Sequence, residues 1–167
     1  MTPDRTARRP GTADVTRAFD VPATVAWRVL TDVRRHGAWV PLTRTRTDGP
    51  PRLGSQVEAV SGPGARRGLP GLPDRMVITR YDPPGTDAGG PAGVAVYTKR
   101  GPVLLGAATV VVLPTGPRSC RVTWTERVPV AGLPESLGVL LTELPLRLML
   151  RVVLRRARRD VESAAAS

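Results

Sequence analysis

Cysteine and histidine are nearly missing from this chain: one of each, Cys120 and His36, stands among 167 residues. A single cysteine excludes an internal disulfide, and with a single histidine it leaves too few ligands for a zinc site. We therefore expect no metal, no other cofactor and a cytoplasmic location. Aromatic residues are only 4% of the chain, so stacking surfaces for bases are few and nucleic acid is not an expected partner. Lysine is scarcer still. Lys99 is the only one, so the net charge of +11 comes almost wholly from arginine. No apolar run is long enough to span a membrane, because Glu143, Arg147 and Arg151 interrupt the longest one, 137–154. The opening "MTPDRTARRPGTAD" has no apolar stretch and does not read as a secretory signal, so residues 1–13 are expected to be a disordered leader.

What is present suits one folded, soluble domain over 14–163 with a short tail at 164–167: 41% of residues are hydrophobic and 23% charged. "DVTRAFD" (14–20) reads as a strand. Pro22 then marks a first helical turn, and Val25, Val29 and Leu30 follow at helical spacing. Asp32 is placed to cap a second short helix ending at Gly37. Strand material follows at 42–47, 53–60, 74–82, 94–100, 103–113 and 119–128, separated by turn-forming stretches such as "SGPGARRGLPGLPD" and "PTGPR". From Pro134 to about Ser163 the chain is helical apart from Pro145. The order predicts an α+β fold: a curved antiparallel seven-stranded sheet wrapped around a long C-terminal helix, with space between them for a pocket.

Several stretches resemble a known family. "FDVPATVAWRVLTDVRRHGAWVPLT" (19–43), carrying Val21, Pro22, Val25, Trp27, Leu30, Asp32 and Trp39, resembles the opening of the START/birch-pollen-allergen (SRPBCC) superfamily. "DRMVITRYDPP" (74–84) and "VTWTERV" (122–128) are similar to its polyketide cyclase/dehydrase and lipid-transport branch. The resemblance implies the helix-grip fold and a cavity for a hydrophobic or amphipathic small molecule. No cyclase motif transfers position by position, and one fold hosts many functions.

The turns allow a register to be drafted. If "PTGPR" sets Leu113 opposite Ser119, then Val110 faces Val122, Ala108 faces Trp124 and Gly106 faces Glu126. A tight turn at 101–102 sets Tyr97 opposite Gly106 as well. The inward set is then Tyr97, Gly106, Ala108, Val110, Val122, Trp124 and Glu126, joined by Met76, Ile78 and Arg80 from 74–82 and by Met149 and Val153 from the helix. Small residues leave volume there, and Glu126 and Tyr97 supply polar groups. These two are the candidate catalytic residues, Glu126 as a partly desolvated acid or base and Tyr97 to orient a ligand carbonyl. The competing readings are that Glu126 pairs with an arginine at the sheet rim and Gly106 marks a bulge. Trp27 and Trp39 read as packing residues, Cys120 as a small core residue, and His36 as a solvated helix end rather than a pocket acid or base.

The loop stretch "RGLPGLP" is similar in composition to the gate loop of plant abscisic acid receptors. Gly68, Leu69, Pro70, Gly71 and Leu72 thereby become a candidate gate, against the alternative of an ordinary flexible loop. On the last helix, Leu146, Met149, Leu150, Val153, Leu154, Ala157 and Val161 form one apolar stripe, and Leu137, Leu141, Leu144, Leu148 and Val152 a second. The second stripe requires a kink at Pro145, a second copy of the chain or a membrane to cover it. Arg147, Arg151, Arg155 and Arg158 between the stripes suit an anionic membrane surface, or are simply a solvated face. Three functions remain open: binding of a lipid or polyketide-like molecule, a cofactor-free polyketide cyclase/dehydrase, and a membrane-surface or subunit-interaction module.

Overall fold

The computed structural model describes residues 11–101, 104–128 and 143–166. Strand β1 (Thr12–Phe19) leads into two short helices, α1 (Ala23–Thr31) and α2 (Val33–Trp39). Six strands follow: β2 (Thr43–Thr47), β3 (Gln56–Ser61), β4 (Leu72–Asp82), β5 (Gly93–Lys99), β6 (Ala107–Gly116) and β7 (Ser119–Arg127). Helix α3 (Leu144–Ala166) closes the chain. The strands form one antiparallel sheet in the order β1-β7-β6-β5-β4-β3-β2, curled around α3. This is the expected helix-grip architecture. Residues 1–10 of the expected leader lie outside the described residues, and the expected tail is instead helical through Ala166.

The helix boundaries follow local chemistry. Pro22 is the N-cap of α1, its carbonyl taking the amides of Val25 and Ala26, while Ala26, Trp27, Val29 and Leu30 turn inward. Asp32 caps α2 by accepting from the Arg34 amide at 3.2 Å. Glycine does not stop α2 as expected. The helix runs past Gly37 to Trp39, where the Val40 amide closes onto the His36 carbonyl.

Helix α3 packs the stripe of Leu150, Val153, Leu154, Ala157 and Val161 against the sheet and the short helices. Full burial of each leucine or valine contributes about 1.5–3 kcal/mol. The second stripe is not buried by a kink: Pro145 sits in the first turn of the described helix, and Leu148 beyond it is 62% exposed. Leu144 is exposed, Val152 half-buried, and Leu137 and Leu141 lie outside the described residues.

The drafted register is off by two residues on both hairpins. Strand β6 continues past Leu113 to Gly116, with an irregularity between Pro114 and Gly116, so Val110 pairs with Trp124 and Ala108 with Glu126. Tyr97 likewise pairs with Ala108 rather than Gly106. A slip of two keeps every side chain on its face, so the inward set survives the error. Strand β4 behaves differently. A bulge between Ile78 and Arg80 inserts one residue, pairing Ile78 with Tyr97 but Arg80 with Val96. Arg80 therefore faces outward, bonded to Asp82, and Tyr81 takes the inward position against Trp27.

Candidate ligand cavity

A cavity of about 320 Å³ lies between the concave face of the sheet and α3. Its walls are largely apolar: Val33 from α2, Val57 and Met76 from β3 and β4, and Leu146, Met149 and Val153 from α3. Ala108 floors it, with Tyr97 and Trp124 beside it. Of the other residues expected to line it, Ile78, Val110 and Val122 are buried in the core next to the cavity rather than on its wall, and Arg80 is outside. Gly106 shares the concave register but is not a lining residue. Its φ of +106° and its carbonyl bond from the Lys99 amide (3.0 Å) make it the closing residue of the β5–β6 turn.

Three charges enter this apolar space. Lys99, Asp74 and Glu126 all line the cavity. The Lys99 side chain is only 4% exposed; its ammonium donates to Asp74 Oδ2 and lies 3.5 Å from Glu126 Oε2. Asp74 comes from β4, Lys99 from β5 and Glu126 from β7, with β6 lying between the last two. Strands two apart are separated by about 9.6 Å, so the lysine stem must cross β6. Strand β6 and its approach present only Gly106 and Ala108 along that path, opposite Lys99 and Glu126. The smallness of these residues is what lets the pair form.

Burying three charges is costly without mutual compensation. Burial pushes the Glu126 pKa up and the neighbouring Asp74 charge adds to this; Lys99 and the Trp124 N–H only partly oppose them. That N–H is near enough to favour the ionised Glu126 yet outside full hydrogen-bond geometry, which leaves it without a full partner. Burial alone would lower the Lys99 pKa, but Glu126 and Asp74 outweigh it and the ammonium is held on. Asp74 Oδ1 is buried with no hydrogen-bond partner. The site thus offers a fixed cation, a carboxyl that is readily protonated and a spare acceptor. Among the described residues, no group of three His, Cys, Asp or Glu side chains is arranged to hold a metal ion.

His36 is not solvated as expected. It is buried on the cavity wall, between Trp39 and Trp124, and its Nε2–H donates to the Leu30 carbonyl at 2.7 Å. Burial lowers its pKa, so the ring is neutral and Nδ1 carries the lone pair. The Tyr97 hydroxyl is committed to the Thr31 carbonyl at 3.4 Å, and burial raises its pKa. Its polar end is therefore tied to α1 rather than offered to a ligand. Cys120 is buried in the core with its thiol pushed up to about 11, and Trp27 and Trp39 pack in the core.

Of the expected gate, Leu72 reaches the cavity as the first residue of β4. Leu69 folds back onto Gly64, where a Cβ would lie 2.6 Å from its side chain. Gly68 adopts φ +88° to end a single 3-10 turn, Ala65–Arg67, and Pro70 is exposed. Gly71 lets the strands meet, since a Cβ there would stand 2.5 Å from the Ser61 carbonyl oxygen. Arg66 ties the turn to α2 through the carbonyls of Gly37 and Val40.

Lys99 and Asp74 were missed by the sequence reading, although each had a signal. Lys99 has the same strand parity as Tyr97, Asp74 the same as Met76 and Ile78, and Lys99 is the only lysine.

A curved antiparallel sheet closed by one long helix over an apolar cavity with a few convergent charges defines the helix-grip architecture. The chain has the fold of the START/birch-pollen-allergen superfamily, in agreement with the resemblance at 19–43. A Nitrosomonas europaea protein, NE0264, superposes with a TM-score of 0.64 at 16% identity, covering 96% of this chain and all of that one (100%). Norcoclaurine synthase from Thalictrum flavum, in complex with dopamine and hydroxybenzaldehyde, gives 0.58 at 15% identity over 91% of this chain and 86% of its own. The di-domain aromatase/cyclase StfQ of the steffimycin pathway gives 0.63 at 13% identity, over 96% of this chain and 54% of its own. No family model and no curated protein sequence matches the chain.

Proposed function

We propose that this protein binds a hydrophobic or amphipathic small molecule, lipid-like or polyketide-like, whose carbonyl or hydroxyl end meets Lys99 and Glu126. The observation that carries this reading is the buried Lys99 ammonium, placed with two carboxylates in an otherwise apolar cavity. A packed core gains nothing from three charges that an apolar set would replace at lower cost. A cavity gains a specific polar anchor. The setting we propose is cytoplasmic, in keeping with one buried, unpaired cysteine.

Catalysis is the second reading, favoured by one observation: Glu126, with its raised pKa, sits beside a fixed cation. Lys99 would polarise a ligand carbonyl while Glu126 moves a proton at the adjacent carbon, as a cofactor-free cyclase or dehydrase requires. The neighbours give some support, since one was solved with an aldehyde and a phenolic amine and another is a polyketide aromatase/cyclase. The test is binding of anilinonaphthalene sulfonate and its displacement by acetylnaphthalene. Met149→Trp, which fills the cavity from α3 and leaves the Lys99–Glu126 path across β6 untouched, is expected to abolish both with the fold intact. Unchanged probe binding in that variant would reject the cavity as the site. Glu126→Gln separates the two readings: binding alone predicts a modest change in affinity for a neutral ligand, and catalysis predicts lost turnover with binding retained.

A further inference from the structure

Exposed leucines gather at one end of the molecule. Among the described residues, six of the eight most exposed large apolar side chains are Leu42, Leu69, Leu72, Leu105, Leu144 and Leu148. The antiparallel register places the first four together: Thr43 pairs with Ser61, Ser61 with Leu72, and the β5–β6 turn returns beside the start of β4. Helix α3 brings its first turns to the same end. Its far half is held at the opposite one, where Arg158 pairs with Asp20 just beyond β1. The cavity opens here, since Leu72, Leu104 and Leu146 line it while their neighbours Leu105, Leu144 and Leu148 are in water. The other two exposed leucines, Leu53 and Leu113, lie at the far end of the sheet.

The charge at this end is one-sided. Arg67, Arg100 and Arg151 are exposed there, and none is in an ion pair among the described residues. The nearby carboxylates Asp74, Glu126 and Glu143 are turned inside. Asp14 lies on the outer face of the sheet, opposite Thr125. Leucines projecting from four separate segments around an opening do not form a groove for one helix or strand. A bilayer accepts apolar side chains from separate segments when they share a plane, and arginines at their level meet phosphate.

We propose that this rim of leucine and arginine docks the cavity mouth onto an anionic lipid surface, so that a hydrophobic ligand passes between bilayer and cavity without crossing water. The proposal rests on the cavity reading above and adds its partner. It is tested by sedimentation with vesicles of phosphatidylcholine and phosphatidylglycerol, against phosphatidylcholine alone. The intact chain is expected to favour the anionic vesicles by about tenfold, and to lose that preference in high salt. Leu69→Glu, Leu105→Glu and Leu148→Glu combined replace no cavity-lining residue. They are expected to cut vesicle binding at least tenfold while anilinonaphthalene sulfonate uptake is unchanged. Leu105→Ser alone, the mildest of these changes, is expected to weaken binding in the same direction should the triple variant misfold. Met149→Trp is expected to do the reverse, losing probe uptake and keeping vesicle binding, so the cavity and the rim fail separately. The proposal is overturned if the intact chain stays in the supernatant with anionic vesicles, or if the triple variant binds them equally. It is also overturned if light scattering shows the rim changes only converting a dimer to a monomer, which would assign the rim to a second copy of the chain.

Discussion

Lys99 is the residue on which the site depends. Its ammonium is the only buried cation near Asp74 and Glu126 among the described residues, and each carboxylate depends on it for compensation. Replacing it with methionine leaves two buried carboxyls unpaired, which should cost about 3–5 kcal/mol in urea unfolding. Removing all three charges together, as Asp74→Asn, Lys99→Met and Glu126→Gln, should cost far less than Lys99→Met alone. Equal losses would mean the three groups do not act as a unit. Glu126 has its own signature. Its folded pKa lies above its ordinary value of 4.5, so between the two the folded state holds a proton that the unfolded state has lost. Its contribution to stability is complete below the lower value and falls as pH rises through the upper one. Glu126→Gln removes that loss, so its melting temperature relative to the natural chain should rise as pH increases above 4.5. A constant difference across that range would contradict the raised pKa.

Single inserted residues decide what the strands present. Alternation alone correctly puts Tyr97, Ala108, Val110, Val122, Trp124 and Glu126 on one face, because period 2 is unaffected by a two-residue error in register. The same logic fails at Arg80, where the bulge after Ile78 adds one residue and reverses the face. Nothing in "MVITRY" signals that insertion, since the bulge depends on how β4 bends around α1 and on Tyr81 reaching Trp27 and Thr31. The ion pair was hidden for another reason. It joins β4, β5 and β7, and while Asp74 is a diagonal neighbour of Lys99 on the adjacent strand, only the three-dimensional curl brings Glu126, a strand further away, within reach. The β5–β6 turn carries a prediction at this scale. Gly106 at φ +106° is strained for any other residue, so Gly106→Ala should cost about 1–3 kcal/mol. A neutral outcome in chemical denaturation would show that the turn relaxes. Enlarging Gly106 is consequently a poor way to fill the cavity, and Met149 on α3 is the better position.

The whole molecule is a sheet whose concave face is apolar at the core end and charged toward the mouth. His36 links the two regions through its contacts with Trp39 and Trp124. Burial holds its pKa below 6.5, so its contribution to stability is complete above that value and is lost as pH falls beneath it. His36→Gln should therefore flatten acid destabilisation just below about pH 6.5, read by thermal melts across that range. The central claim, that a buried ammonium anchors a ligand in an apolar cavity, has a direct test because Lys99 is the only lysine. With lysine labelled with ¹⁵N at the side-chain nitrogen, the spectrum of an untagged chain contains a single such signal. The account predicts a slowly exchanging ammonium resonance at neutral pH that moves on addition of acetylnaphthalene and stays put on that addition in Met149→Trp. An ammonium exchanging as fast as free lysine, or one unmoved by the ketone at saturating probe binding, would contradict it.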